Sequence, residues 1–117
     1  MDPATMIPMN PRDFLILFSL TEENRHGYGI VKEVDQAGGG VRIDPANLYR
    51  SLKRMMAEGL VEESDPPAHE DASDGRRRYY AITSVGREVV KLEAARLAEL
   101  TAKARSRRLI PDGEVPA

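Results

Sequence analysis

Asp44-Pro45-Ala46-Asn47-Leu48-Tyr49-Arg50-Ser51-Leu52-Lys53-Arg54-Met55-Met56-Ala57-Glu58-Gly59 is the stretch on which the fold turns. Aspartate ahead of proline starts a helix: its side chain accepts from free first-turn amides, and proline fills a position that needs no N–H. Gly59 closes the helix, because glycine takes the left-handed backbone that ends helices. At about 100° per residue, Leu48, Leu52, Met55 and Met56 gather on one face. Opposite them lie Asn47, Arg50, Lys53 and Arg54, with small Ala46 and Ala57 among them and one acid, Glu58, at the far end. A helix that docks on a core and inserts into a DNA major groove needs this distribution. Arginine grips O6 and N7 of guanine with two bonds, asparagine does the same for adenine, and lysine meets phosphates. Any solvated helix face also carries Lys and Arg, so this helix alone leaves both readings open.

Upstream, Asn10-Pro11-Arg12-Asp13 repeats the start signal and adds a carboxylate to meet free N–H groups. A central helix is predicted from there to about Glu22, apolar on most sides through Phe14, Leu15, Leu17 and Phe18. A turn at 24–27 leads to a second helix, Tyr28 to Ala37, whose stripe is Ile30, Val34 and Ala37 widened by Val31. Gly38-Gly39-Gly40 stops it, and the alternation in Val41-Arg42-Ile43 predicts a very short strand. Residues 1–9 hold two prolines and no period, and are expected to be a flexible arm.

Downstream, Leu60-Val61-Glu62-Glu63 predicts a strand, 64–75 a polar loop, and Arg78-Tyr79-Tyr80-Ala81-Ile82 the return strand, rich in β-formers. Thr83 can cap a long last helix, Ser84 to about Arg108. Helix, helix, short strand, helix, two-stranded hairpin and long helix together describe a mainly α chain with a small β-hairpin, a winged helix-turn-helix. The expected divisions are 10–83 for the DNA-binding domain, 84–108 for a C-terminal dimerisation helix, and 109–117 for a disordered tail.

Composition agrees. The chain is 117 residues, one domain long, with 41% hydrophobic and 31% charged residues, which excludes disordered and membrane-embedded classes. Trp is absent and aromatics reach 5%, so aliphatics and Met must build the core. The lack of cysteine removes disulfides and thiol chemistry and fits a reducing cytosol. The run Phe14 to Leu20 is too short to span a bilayer, so a cytoplasmic protein is expected. Net charge is −2, which is unusual for a nucleic-acid binder. A phosphate, however, responds to local potential within a Debye length of about 8–10 Å. Arg76-Arg77-Arg78 supplies a second cationic feature at the wing, suited to backbone or minor-groove contact. Those arginines could instead pair with the loop acids Asp65, Glu70, Asp71 and Asp74.

His26-Gly27-Tyr28-Gly29-Ile30, Asn47-Leu48-Tyr49-Arg50-Ser51-Leu52-Lys53-Arg54-Met55, Glu58-Gly59-Leu60-Val61 and Arg78-Tyr79-Tyr80-Ala81-Ile82-Thr83-Ser84-Val85-Gly86 together resemble the PadR family of regulators. The resemblance runs in order over about residues 12–90. It implies a dimeric repressor that reads palindromic double-stranded DNA with the third helix. It also implies a phosphate contact at Tyr28 and a supporting or backbone contact at Tyr49, with Tyr80 packed under the wing. Simple packing remains the alternative for each tyrosine. Short PadR relatives dimerise through the last helix, whereas longer ones add a C-terminal domain.

In that last helix Val85, Val89 and Leu92 form one stripe, and Val90, Ala94, Leu97, Leu100 and Ala104 continue a second. Val89, Val90, Leu92, Leu97, Leu100 and Ala104 are the expected homodimer interface, the alternative being a stripe folded onto its own domain. Some short relatives hold flat aromatic ligands between interface tryptophans. Without Trp, the identity of any small-molecule inducer stays open.

An enzyme is not expected. His26 belongs to a turn and His69 to a loop, no metal-ligand spacing appears, and Gly38-Gly39-Gly40 lacks the lysine of a phosphate loop. No cofactor is implied. The rival to DNA binding is a winged helix used only for protein–protein contact.

Overall fold

Among the described residues, every α-helix begins where a side chain takes up a first-turn amide. Asn10 accepts from Asp13, His26 from Gly29, Asp44 from Asn47 and Thr83 from Gly86. Such caps contribute about 0.5–2 kcal/mol each. They fix α1 (Pro11–Leu20), α2 (Gly27–Gln36), α3 (Pro45–Ala57) and α4 (Ser84–Ser106), interleaved with strands β1 (Arg25–His26), β2 (Val61–Ser64) and β3 (Tyr79–Ile82). The computed structural model describes residues 2–70 and 77–111.

The three strands form an antiparallel sheet of order β1-β3-β2, and the architecture is a winged helix-turn-helix. Val61 pairs Ile82 and Ser64 pairs Tyr79 on one side of β3; Arg25 pairs Tyr80 and His26 pairs Tyr79 on the other. The predicted two-stranded hairpin is thus extended by β1, in the segment expected to be a turn. Conversely, residues 41–43 form no strand. The free edge of β3 is taken by β1, while Ile43 is carried into the core without a ladder of its own.

The core joins Ile16, Leu17 and Leu20 of α1, Ile30 and Val34 of α2, Leu48, Leu52 and Met55 of α3, Leu60, Val61, Tyr80, and Val89 and Val90 of α4. α1 is central as expected, but Phe18 on its apolar surface is exposed, stacked beside Phe14. The α3–β2 junction is tight: Thr83 N–H donates to the Leu60 carbonyl at 3.0 Å, and its hydroxyl donates to the Gly59 carbonyl at 2.6 Å. Gly86 lies against that same Leu60 carbonyl, so closely that a Cβ would collide with it. This is a physical reason for glycine in the Thr-x-x-Gly stretch.

Residues 2–9 are not the loose arm expected from their sequence. Pro3–Met6 form a 3-10 helix, and Met6, Ile7 and Met9 pack against the core. Met9 N–H donates to Glu93 of α4 at 2.9 Å. Glu93 is only 1% exposed and accepts a two-pronged bond from Arg96 at 2.6 and 2.9 Å. That pairing is what makes a buried carboxylate tolerable. It also holds the Glu93 carboxyl below the usual carboxylate range. The predicted boundary at 83/84 is therefore no seam, because the first turns of α4 belong to the winged-helix core. Among the described residues no helix is long and apolar enough to cross a membrane.

Candidate nucleic-acid interface

α3 buries Leu48, Ser51, Leu52 and Met55, with Met56 half-buried, and turns Arg50 and Lys53 outward. Its first turn is ordered by a chain of polar contacts. Asn47 donates from its side-chain amide to Asp44 at 2.7 Å and accepts from Arg50 at 2.8 Å. The backbone amide of Asn47 lowers the pKa of the capping Asp44 further. Asn47 is thus preoccupied on both ends of its amide, and Arg50 is held close to the helix by it. Lys53 has no hydrogen bond or ion pair among the described residues.

Arg54 behaves differently. Its guanidinium makes two bonds to Asp13 of α1, at 2.7 and 2.8 Å, and a third to Glu58 at 3.2 Å. Asp13 is buried, so this bond staples α3 to α1. The sequence predicts that the Asp13 carboxylate meets free N–H groups at the start of α1. Its own N–H is instead satisfied by Asn10, and its carboxylate faces Arg54. Arg54 lies on the flank of the polar face, where a neighbouring helix can reach it.

Beside α3 opens a groove of about 440 Å³ lined by His26, Gly27, Tyr28, Tyr49, Arg77, Arg78 and Tyr80. Three elements converge here: the start of α2, the middle of α3, and the approach to β3. Gly27 permits the convergence, since a Cβ at this position would sit 2.6 Å from the Tyr49 hydroxyl. Tyr28 is 72% exposed and stacks parallel to the His26 ring, 6.3 Å between centroids. His26 accepts the Gly29 amide at Nδ1, and its Nε2 lies 3.2 Å from a guanidinium nitrogen of Arg77. The groove thus carries a cation beside the imidazole, which suits an anionic partner.

The expected site residues divide as follows. Tyr28, Tyr49, Arg77 and Arg78 are brought together at the groove. Asn47, Arg50 and Lys53 lie along α3, and Arg54 is turned into the α1–α3 junction. Arg78 makes a loose exposed pair with Glu63 at 3.6 Å. Arg76 lies outside the described residues, and Tyr80 is buried. His26 and Gly27 were missed as site residues. The local signal that could have found His26 was its position as a capping side chain directly before the Gly-Tyr pair.

On α4, Leu92, Leu97 and Leu100 are exposed and Ala104 is half-buried. Val89 and Val90, also expected at a dimer interface, are buried in the chain's own core. The correction has a simple cause: the first turns of α4 pack against α1 and the N-terminal 3-10 helix, and the exposed leucines lie farther along.

The family model of the transcriptional regulator PadR-like family matches residues 16–92. The chain is similar to the "Transcriptional regulator Rv3488" of Mycobacterium tuberculosis, 31% identical over 86 residues covering 73% of this chain and 74% of that protein. It is 34% identical over 94 residues to an "Uncharacterized 37.1 kDa protein in transposon TN4556" from Streptomyces fradiae, covering 80% of this chain but only 25% of the relative. Among solved structures, a transcriptional regulator from Clostridium thermocellum superposes with TM-score 0.63 at 27% identity, covering 82% of this chain and 87% of that one. A PadR family transcription regulator from Clostridium difficile superposes with TM-score 0.69 at 24% identity, covering 83% and 97%. With the helix-turn-helix, the wing and the cationic face of α3 in place, the chain belongs to the PadR-like family of DNA-binding transcriptional regulators, not to an enzyme family.

Proposed function

We propose that the chain is a homodimeric repressor that binds a palindromic operator in the bacterial cytoplasm. One observation carries this above all: α3 turns its leucines inward and offers Arg50 and Lys53 outward beside a groove edged by Arg77 and Arg78. In the bound complex Arg50 reads a base edge and Lys53 meets a phosphate. Tyr28, with His26 and Arg77, contacts the backbone at the groove, and Asn47 and Tyr49 order the reading turn. Arg54 acts indirectly, by fixing α3 against α1. Two copies joined through Leu92, Leu97, Leu100 and Ala104 of α4 present two reading helices about 34 Å apart, one DNA turn. A dimer lying over a promoter excludes polymerase from it, and a small-molecule inducer of unidentified chemistry would act by changing that spacing.

Purified protein selecting fragments of its host genome will give the operator, and a two-fold repeat is the expected result. The same complex should weaken steeply with salt, with a log–log slope near −0.9 per phosphate neutralised. Deleting the gene should raise transcription from the selected promoter. The net charge of −2 favours a second reading, a module for protein contact alone. Salt-insensitive retention of fragments, or selection of none, would establish that reading over the first.

A further inference from the structure

Glu23 lies in the turn between α1 and β1, and His69 and Glu70 follow β2 in the wing segment. Although 46 residues separate Glu23 from His69, the fold brings ligand atoms of all three residues within 4.8 Å of one another. His69 Nε2 stands 2.6 Å from a Glu23 carboxylate oxygen. Glu70 is oriented from behind by the Tyr79 hydroxyl, which donates to it at 2.5 Å. Its backbone N–H is bound to the Pro67 carbonyl at 3.0 Å, which fixes the turn that carries it. Next to Glu23, Asn24 donates to the Asp65 carbonyl at 3.3 Å and holds the two segments together.

None of these three side chains takes part in the DNA interface described above. Two carboxylates within 4.8 Å of each other and of an imidazole nitrogen draw a positive charge among them, a proton on His69 or a metal ion in its place. The imidazole nitrogen distinguishes the cluster from an ordinary acidic patch, because nitrogen and oxygen donors together favour zinc-class ions over calcium or magnesium. The tyrosine behind Glu70 is the kind of outer partner that aligns a metal-binding carboxylate.

We propose that Glu23, His69 and Glu70 form a binding site for one divalent ion of the zinc class, with water completing the coordination. Bond lengths of about 2.0–2.2 Å around a tetrahedral ion put neighbouring ligand atoms roughly 3.3–3.6 Å apart. The three ligand atoms, within 4.8 Å of one another, would close to that spacing around the ion. The bound ion fastens the wing to the body of the domain. It does so next to Tyr79, whose ring meets His26 edge-on at 5.4 Å in the groove.

The test uses Zn²⁺ and the full chain, without DNA, so its outcome does not depend on the regulator assignment. Calorimetric titration should give one saturable site per chain. His69→Ala and Glu70→Gln should each weaken it at least tenfold, while Glu62→Gln, a strand acid outside the cluster, should leave it unchanged. Co²⁺ in place of Zn²⁺ should give a visible ligand-field spectrum that His69→Ala abolishes. Zn²⁺ should also slow tryptic cleavage after Arg77 and Arg78 in the parent chain but not in His69→Ala. Should Glu70→Gln disturb the wing through Tyr79, His69→Ala decides alone, since it leaves that bond intact. No saturable binding, or binding of equal strength in both variants, overturns the site.

Discussion

α3 and α4 are both amphipathic helices, yet the chain completes them in opposite senses. α3 has its apolar stripe covered by its own domain, Met56 by half, and leaves a cationic face open. α4 covers only its first turns, and leaves Leu97 at 38% and Leu100 at 51% exposure farther along. A helix with a satisfied apolar side and an open polar side lacks a hydrophilic, anionic partner. One with a leftover apolar side lacks a hydrophobic partner. The difference assigns a different missing surface to each helix.

Four changes can break or sharpen that contrast. Leu97→Asp with Leu100→Asp should have the largest effect, turning dimers into monomers in sedimentation. Covering the exposed part of each leucine is worth about 1 kcal/mol, and symmetry counts each twice. An unchanged dimer would show that α4 is not the joining surface. Leu52→Ala, on the completed side of α3, should cost about 2–5 kcal/mol in urea unfolding, because the core around it cannot fully collapse. Arg50→Ala, on the open side, should leave unfolding untouched and cost about 1–3 kcal/mol of operator affinity with relaxed base preference. Arg54→Ala should do the reverse, lowering stability by about 1 kcal/mol because Asp13 loses its charged donor, while base preference holds. If Arg54→Ala relaxed base preference and Arg50→Ala did not, the roles of the two arginines would be exchanged.

The smallest effect concerns acid. Bonding from Arg96 holds the Glu93 pKa down in the folded chain. A depressed carboxylate pKa stabilises the fold above the unfolded value, and that stability is lost as pH falls through the folded one. Glu93→Gln should therefore flatten the acid limb of the stability profile measured by urea midpoints. A limb of unchanged steepness would mean that other carboxylates govern it.

The exposed cationic face of α3 was legible because its periodicity and caps lie within one continuous stretch. Arg54 was not, since the carboxylate that holds it is 41 residues away and nothing local distinguishes it from Arg50. β1 was hidden for a related reason. Two residues are too few to alternate, and only the free edge of β3 makes Arg25 and His26 a strand. On α4 the two apolar stripes were visible, but how far along the helix the domain covers them depends on where α1 and the N-terminal segment pack. The prolines and missing period of residues 2–9 suggested looseness. The buried carboxylate of Glu93, offering an acceptor to Met9, lay outside that local pattern.

The clamp of Thr83 on Gly59 and Leu60 ties both strands of the wing at their root. Strand register is thereby set from the root upward, independently of how many residues join the strands at the far end. The pairing of the wing is therefore anchored where α3 ends and α4 begins, and a change at Thr83 should loosen both strands together.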